Sequence, residues 1–104
     1  MTHQPAVDAL ADPARRQVFE YLRAGPSSLD ALAEQLPLSR AALAQHVQAL
    51  QDAGLVSEQS EGSCLVYGID PDGLAAVRRW LDQFWDEAFA AFAAKASAIG
   101  TDKA

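Results

Sequence analysis

The stretch LSRAALAQHVQAL, residues 38–50, decides the fold, because it has the layout of a short amphipathic helix with a defined start. Ser39 occupies the N-cap position, where its hydroxyl can accept a hydrogen bond from the first turn of the backbone. Leu43, Val47 and Leu50 follow at helical spacing and predict an apolar stripe facing inward. The other side of this helix is polar, so it is available to meet a partner.

The chain before this helix contains two further helix signals. A short helix is expected near residues 5–10. Asp12 followed by Pro13 has the pattern of an N-cap and a first helical residue. These two residues predict a second helix that runs to about Ala24.

The next two helices are predicted to follow each other closely. Ser28 caps the first of them, and only Pro37-Leu38 separates it from the helix that Ser39 caps. Gly54 ends the second, as glycine commonly does after a last helical turn. Such a short link is typical of a helix-turn-helix, here over residues 28–53, whose second helix presents its N-terminal turn to base edges.

A change of pattern follows. LVSEQSEGSCLVYGI, residues 55–69, is β-branched and aromatic around a Ser-Glu-Gly-Ser turn, which predicts a hairpin. Asp70-Pro71 then starts a long helix that is expected to end near Ala98, with residues 99–104 as a short tail. The order predicts a mainly α (α+β) fold over residues 1–104: one winged helix-turn-helix domain with a two-stranded wing and a long C-terminal helix.

The long helix carries an apolar face wider than one small domain can cover. Pairing with the same helix of a second copy is the simplest solution, and folding back on its own domain is the alternative. The dimer interface is predicted from segments 1–12 and 71–98. Its residues are expected to be Leu10, Val77, Trp80, Leu81, Phe84, Trp85, Ala88, Phe89 and Phe92.

Composition limits the class of protein. The chain of 104 residues carries a formal charge of −6, and residues 39–70 hold four acids against one base. This balance argues against DNA binding, which draws much of its affinity from phosphate neutralisation, unless a few arginines act locally. One cysteine excludes an intramolecular disulfide, and neither a signal peptide nor a membrane-spanning run is visible, so we expect a cytoplasmic protein.

Three segments together resemble the ArsR/SmtB family of bacterial repressors. ALADPARRQVFEYL, residues 9–22, resembles the opening helix of the family, and LSRAALAQHVQALQDAGLV, residues 38–56, its recognition helix and the start of its wing. RRWLDQFWDEAFAAFAAKA, residues 78–96, is similar to the last helix of the metal-independent autorepressor branch. The resemblance implies a homodimeric repressor that binds a partly palindromic operator in double-stranded DNA near its own promoter.

The outward side of the 39–50 helix supplies the candidate DNA contacts. Arg40 is its only base, and an arginine there can bond bidentately to guanine or grip a phosphate. Gln45 and Gln48 either pair with adenine edges or fill polar surface. Ala44 stands where the family often has a second serine, and its methyl group can touch thymine. The full set of expected DNA-binding residues is Ser39, Arg40, Ala41, Ala44, Gln45, His46, Gln48 and Arg16.

Two members of this set have an alternative role. His46 follows the family pattern, but a half-buried histidine bonded to the backbone is favoured over direct DNA contact. The family usually has an arginine pair at Arg15 and Arg16. A structural salt bridge is the first interpretation of that pair, and phosphate contact is the second.

The wing departs from the family pattern. Relatives usually carry several arginines where this chain has Gly62-Ser63-Cys64-Leu65, and here Glu58 and Glu61 stand near the tip. Acids are repelled by phosphate. The alternative function is therefore a protein-binding module, a winged-helix dimer with weak or no DNA binding.

No sensor or catalytic set is evident in the sequence. His3, His46 and Cys64 are too scattered to make a transition-metal site, so neither a metal nor a cofactor is expected. Cys64 is a possible redox site, although a small hydrophobic residue on a strand is favoured. No phosphate loop or nucleophile motif is present, so the chain is not expected to be an enzyme, and any inducer or protein partner stays unknown.

Overall fold

The computed structural model describes residues 4–102, and it has the predicted order of helices and strands. A winged helix-turn-helix with a two-stranded wing and a long last helix is therefore confirmed as the fold. The elements are α1 (Gln4–Ala11), α2 (Pro13–Tyr21), a 3-10 turn (Leu22–Ala24), α3 (Leu29–Gln35), α4 (Arg40–Asp52), β1 (Val56–Glu61), β2 (Cys64–Ile69) and α5 (Pro71–Asp102).

The predicted caps are confirmed as helix starts. Asp12, Ser28 and Ser39 each accept a hydrogen bond from the backbone N–H three residues later, at 3.0, 3.1 and 3.1 Å. The bond to Asp12 comes from the N–H of Arg15 and is the main reason that the pKa of the Asp12 carboxyl lies below its usual value. Asp70 likewise accepts from the N–H of Asp72 at 3.0 Å at the start of α5. Each cap satisfies a backbone donor that its helix leaves unpaired.

The core lies where α1, α2, α3 and α4 meet the base of the wing. The apolar stripe predicted on α4 is confirmed, because Leu43, Val47 and Leu50 are buried there. Burying these side chains removes apolar surface from water and fixes which side of α4 faces outward. The other buried residues of this core are Ala6, Ala9, Val18, Leu22, Leu32, Leu36, Leu55, Val56, Tyr67 and Val77.

The wing is a tight antiparallel hairpin. Val56 pairs with Ile69 at its base and Glu61 with Cys64 at its tip, so the loop is only Gly62-Ser63. The turn is therefore shorter than the four residues predicted. Gly62 has a φ of 65°, as the first central residue of a type II′ turn requires. An unpredicted bridge joins Ser27 to β2, where Ser27 and Tyr67 exchange backbone hydrogen bonds of 2.9 and 2.8 Å.

The end of α4 is closed by backbone hydrogen bonds around Gly54. The N–H of Gly54 donates to the carbonyl of Gln51, and the N–H of Leu55 donates to the carbonyl of Leu50, both at 2.9 Å. Gly54 has a φ of 80°, which only glycine adopts readily. This arrangement is a Schellman motif, and the buried Leu50 and Leu55 make the apolar contact that accompanies it.

The start of α5 rests on this closed end of α4. The N–H of Asp70 donates to the carbonyl of Leu55 at 2.9 Å. One turn further on, Gly73 lies so close to the Gly54 carbonyl that a Cβ there would come within 2.8 Å of the Gly54 carbonyl carbon and still nearer its oxygen. The absence of a side chain at Gly73 therefore fixes how α5 leaves the domain.

Beyond this joint, α5 projects away from the rest of the chain. Its 32 residues extend about 48 Å at the usual helical rise. The radius of gyration is 18.9 Å, against about 13 Å for a compact domain of this length. Every side chain from residue 78 to residue 99 is exposed.

The predicted end of this helix was wrong. The helix passes residue 98 and continues to Asp102, and no proline between these positions interrupts it. Most of the predicted tail, residues 99–104, is therefore helical. Residues 103–104 of that tail and residues 1–3 of the predicted 1–12 segment lie outside the described residues. None of the helices between residues 4 and 102 combines the length and the apolarity that crossing a membrane requires.

We predict that Gly73→Ala lowers the stability of the protein. At an ordinary helical position this substitution stabilises by about 0.5–1 kcal/mol, because it removes backbone entropy from the unfolded chain. Here the new methyl group must push α5 off the Gly54 carbonyl, and such overpacking costs about 1–3 kcal/mol. Chemical denaturation at one fixed protein concentration measures the free energy of unfolding. A variant more stable than the parent would contradict the close contact between Gly73 and Gly54.

Candidate nucleic-acid interface

Helix α4 presents a continuous exposed stripe on the side away from the core. Ala41, Ala44, Gln45 and Gln48 are all exposed and follow the spacing of one helix face. Ser39 and Arg40 extend this stripe at the N-terminal end and are exposed as well. Six of the predicted contact residues are thereby brought together on one surface. The side chains of Ala41 and Ala44 are short, so a partner can approach the backbone of α4 closely between the longer side chains around them.

Arg40, the first residue of α4, is ion-paired with Asp30 in the first turn of α3. Both side chains remain largely exposed, at 63% for Arg40 and 72% for Asp30. Sequence reasoning missed Asp30, because the two residues are ten positions apart and only the helix-turn-helix geometry brings them together. The pair lies in a groove of about 290 Å³ lined by Ser28, Leu29, Asp30, Arg40, Ser63, Cys64, Leu65 and Tyr67.

The two glutamines of the stripe differ in their partners. The amide of Gln48 donates to the Asp52 carboxylate at 3.0 Å, one turn along the helix. The side chain of Gln45 forms no such bond within residues 4–102. Gln45 is thus free to bond to a base edge, whereas Gln48 must first leave Asp52.

His46 lies on the boundary between the exposed stripe and the core. It is half-buried, as expected, but its Nδ1 atom is buried and has no hydrogen-bond partner in the described part of the chain. The hydrogen bond expected between His46 and the backbone is therefore not formed within the described residues. The ring is near enough to Asp12 to add to the lowering of the pKa of Asp12, after the larger effect of the Arg15 N–H. His46 is thus turned toward the start of α2 and away from the stripe.

The arginine pair on α2 differs from the first expectation. Within residues 4–102, neither Arg15 nor Arg16 forms an ion pair, so the expected salt bridge is absent there. The α2 N-terminus already has Asp12 engaged with the backbone, which leaves that carboxylate less available to a guanidinium. Arg15 is half-buried with an unpaired Nε, and Arg16 is exposed and accessible to a partner.

The wing tip is acidic and exposed. Glu58 and Glu61 on β1 both face solvent. Cys64 lies on strand β2, as expected, but its side chain is exposed. The reason is its position beside the turn, since only the base of the hairpin reaches the core. Cys64 and Arg40 line the same groove, although the two residues are far apart in the sequence.

A second exposed surface, which is apolar, runs along α5. Phe84, Trp85, Phe89 and Phe92 are 61–72% exposed, which is unusual for large aromatic side chains. Trp80 and Phe84, and likewise Trp85 and Phe89, have ring centroids 6.2 Å apart. Leu81 and Ala88 lie exposed on the same face.

The base of this face continues into α1. Leu10 is half-buried and Val77 is buried in the domain's own core, so these two predicted interface residues already have partners within the chain. Together with Trp80 and Leu81 they line a wholly apolar groove of about 330 Å³ between α1 and α5. We call the exposed apolar side chains of α5, from Trp80 to Phe92, the α5 face.

Within residues 4–102, no group of three or more histidine, cysteine, aspartate or glutamate side chains is placed to hold a metal ion.

The sequence and the fold both match known regulators. A family model described as a helix-turn-helix domain matches residues 10–59. The HTH-type transcriptional regulator Rv2034 of Mycobacterium tuberculosis is 43% identical over 97 residues, which cover 93% of this chain and 91% of that protein. The identity therefore extends well beyond the helix-turn-helix, into the wing and α5.

Two solved structures share the fold. An ArsR-like transcriptional regulator from Rhodococcus sp. RHA1 has a TM-score of 0.76 at 32% identity, over 86% of this chain and 88% of that one. The homodimeric winged helix-turn-helix DNA-binding domain Mb0332 from Mycobacterium bovis, a possible ArsR-family transcriptional regulator, has a TM-score of 0.65 at 26% identity, over 81% of this chain and 78% of that one. With this agreement in sequence and fold, the chain belongs to the ArsR family of winged helix-turn-helix transcriptional regulators.

Proposed function

We propose that this protein is a homodimeric transcriptional repressor that binds a partly palindromic operator in double-stranded DNA through α4. Its family consists of transcriptional regulators, so the chain is a regulator rather than an enzyme. Repression follows from the ArsR/SmtB resemblance, and a regulator of transcription acts in the cytoplasm of a bacterium, where the chromosome lies. The observation that carries the proposal is the exposed stripe of α4 opposite its buried stripe.

The shape and chemistry of the stripe suit a major groove. That groove is about 12 Å wide, which admits one α-helix. Ala41 and Ala44 let the helix backbone approach the base edges closely, and their methyl groups can contact thymine. Arg40 and Gln45 flank them with donors long enough to reach guanine or adenine. Ser39 already caps α4, so any contact of its hydroxyl with a phosphate would be additional.

Dimer formation would place two such helices on one duplex. The α5 face leaves large aromatic side chains in water, and a second copy of the same face would cover them symmetrically. The similar domain from Mycobacterium bovis is homodimeric. A two-fold protein presents its recognition helices to two half-sites about 34–36 Å apart, and this spacing is what makes an operator palindromic.

We propose that the dimer works without a metal sensor. The described residues offer no cluster of ligands, and the candidate nitrogen and sulfur ligands His46 and Cys64 lie on different elements. Transition-metal sensors need several such ligands at one point. Release from DNA would then depend on another signal.

A protein-binding module is the second candidate, and the wing favours it. Glu58 and Glu61 are exposed on the wing, where the ArsR/SmtB resemblance implies contact with the DNA backbone. A carboxylate beside a phosphate is repulsive, so this wing either stays clear of the DNA or binds a basic protein surface instead. The two candidates differ in what α4 does, which the following variant tests.

We predict that Arg40→Ala weakens operator binding by about 1–3 kcal/mol, the range expected for loss of a bidentate guanine contact. This loss of affinity should depend on a single base pair of the operator, the one that Arg40 contacts. A duplex with that base pair changed should bind the wild type and the variant equally. Equilibrium titration of a labelled duplex, chosen by the wild-type dimer from a randomised pool, measures it.

The matched control is Arg23→Ala. Arg23 is also exposed, but it lines a different groove from Arg40, together with Gln59 and Gly68. Its loss should reduce affinity for all duplexes alike, and only slightly. Equal effects of the two substitutions would remove Arg40 from the reading surface.

We predict that Trp85→Asp converts the dimer to monomers. The carboxylate would be placed near the centre of the α5 face, where burial against a second copy leaves it without a partner. Sedimentation or size-exclusion chromatography with light scattering measures the mass in solution. The same variant should lose operator affinity, because a single recognition helix cannot span two half-sites.

Gln83→Asp provides the control for added charge. Gln83 is exposed on the side of α5 opposite Trp85, so its variant should remain dimeric. A dimeric Trp85→Asp variant would show that the α5 face is not the interface.

A further inference from the structure

We infer that Asp30 is a specificity-determining residue, which positions Arg40 to read a guanine and keeps it off the phosphates. The inference rests on the proposed function, since it concerns how α4 selects DNA. It starts from the ion pair between the carboxylate of Asp30 and Nη1 of Arg40.

Folding alone does not account for this pair. Both side chains are mostly exposed, and exposed ion pairs contribute little to stability because water and salt screen them. The pair instead joins the first turn of α3 to the first residue of α4, across the turn of the motif. What it determines is the direction in which the Arg40 guanidinium points.

The ion pair with Asp30 uses only one side of the Arg40 guanidinium, and the side that can bond to a base stays free. A guanidinium has five N–H donors in a fixed plane. With Nη1 held by Asp30, the Nε–H and the remaining Nη2–H groups still form one edge with two parallel donors. Two parallel donors match the O6 and N7 acceptors of guanine in the major groove. Fixing the guanidinium before DNA arrives also reduces the side-chain entropy that the contact costs.

The charge of Asp30 also opposes contact with phosphate. Arg40 is the only base within residues 39–70, so alone it would be drawn to any phosphate of any sequence. A carboxylate beside it cancels most of that attraction and repels phosphate oxygens directly. A guanine edge carries no net charge, so the carboxylate of Asp30 weakens contact with guanine far less than contact with phosphate. Asp30 thus lowers affinity for DNA in general more than affinity for the correct base.

Asp30 and Arg40 are the only two charged residues that line the groove between α3 and the wing, in the part of the chain that the structure describes. The wing contributes Ser63, Cys64, Leu65 and Tyr67 to this groove, and none of them is an aspartate, glutamate, lysine or arginine. Removing one charge should therefore act on the other directly.

The test is Asp30→Asn, compared on two duplexes of equal length. One is the duplex that the wild-type dimer selects from a randomised pool, and the other has a random sequence. We expect higher affinity for the random duplex and a steeper fall of affinity with salt, because Arg40 now neutralises a phosphate. The ratio of the two affinities should fall by about fivefold or more, the lower end of what one bidentate contact contributes.

Glu34→Gln is the matched control, since Glu34 is an exposed acid on the same helix and forms no ion pair within the described residues. It removes the same charge, so it should raise both affinities together and leave their ratio unchanged. In an Arg40→Ala background, Asp30→Asn should likewise no longer change the ratio. Replacing the contacted guanine by 7-deazaguanine, which lacks N7, should weaken wild-type binding and have little effect on the Arg40→Ala variant.

The outcomes separate this inference from the proposed function. If the wild-type dimer selects a sequence but Asp30→Asn keeps the same ratio, or behaves as Glu34→Gln does, the role of Asp30 is wrong and α4 still reads DNA. If the wild-type dimer selects no sequence at all, the proposed function fails, and the role of Asp30 fails with it.

Discussion

The close contact between Gly54 and Gly73 is the constraint on which the rest of the arrangement depends. It joins the closed end of α4 to the first turn of α5, backbone against backbone, and the Asp70 N–H bond to Leu55 holds the same joint. Backbone contacts of this kind have little freedom to adjust, because protein interiors are closely packed. In a dimer formed along the α5 face, this joint would set both the distance and the angle between the two recognition helices. The contact between these two glycines would thus relate the geometry of the dimer to the spacing of its recognition helices on DNA.

The acidity of the protein gives its few cations particular weight. With a formal charge of −6 for each chain, a dimer cannot rely on general attraction to phosphate. The exposed arginines of α2 and α4 have different surroundings. Arg16 on α2 is exposed and unpaired within the described residues, whereas Arg40 is held by Asp30. An acidic wing and a restrained Arg40 would together favour a regulator that binds few sites, with discrimination gained at the expense of overall affinity.

The local features of the fold could be predicted from sequence, and the long-range pairings could not. Cap residues, the helix-ending Gly54 and the existence of the wing hairpin all depend on neighbours within a few positions, so the sequence predicts them. The Asp30–Arg40 pair and the Ser27–Tyr67 bridge join residues that only the tertiary fold brings together. The α5 helix continues past its predicted end, through Gly100, and no proline interrupts it there. For the candidate site, the outward stripe was predictable from periodicity, whereas the present partner of each side chain was not.

Binding to the DNA upstream of the protein's own gene, titrated across a salt series, tests the central claim most directly. We predict a higher affinity for this DNA than for random DNA of the same length, with log affinity falling linearly against log salt. For so acidic a dimer we expect a shallow slope, corresponding to few neutralised phosphates. Absence of binding even at low salt, with the dimer intact, would contradict a DNA-binding role for α4. The acidic winged-helix dimer would then be a module for a protein partner.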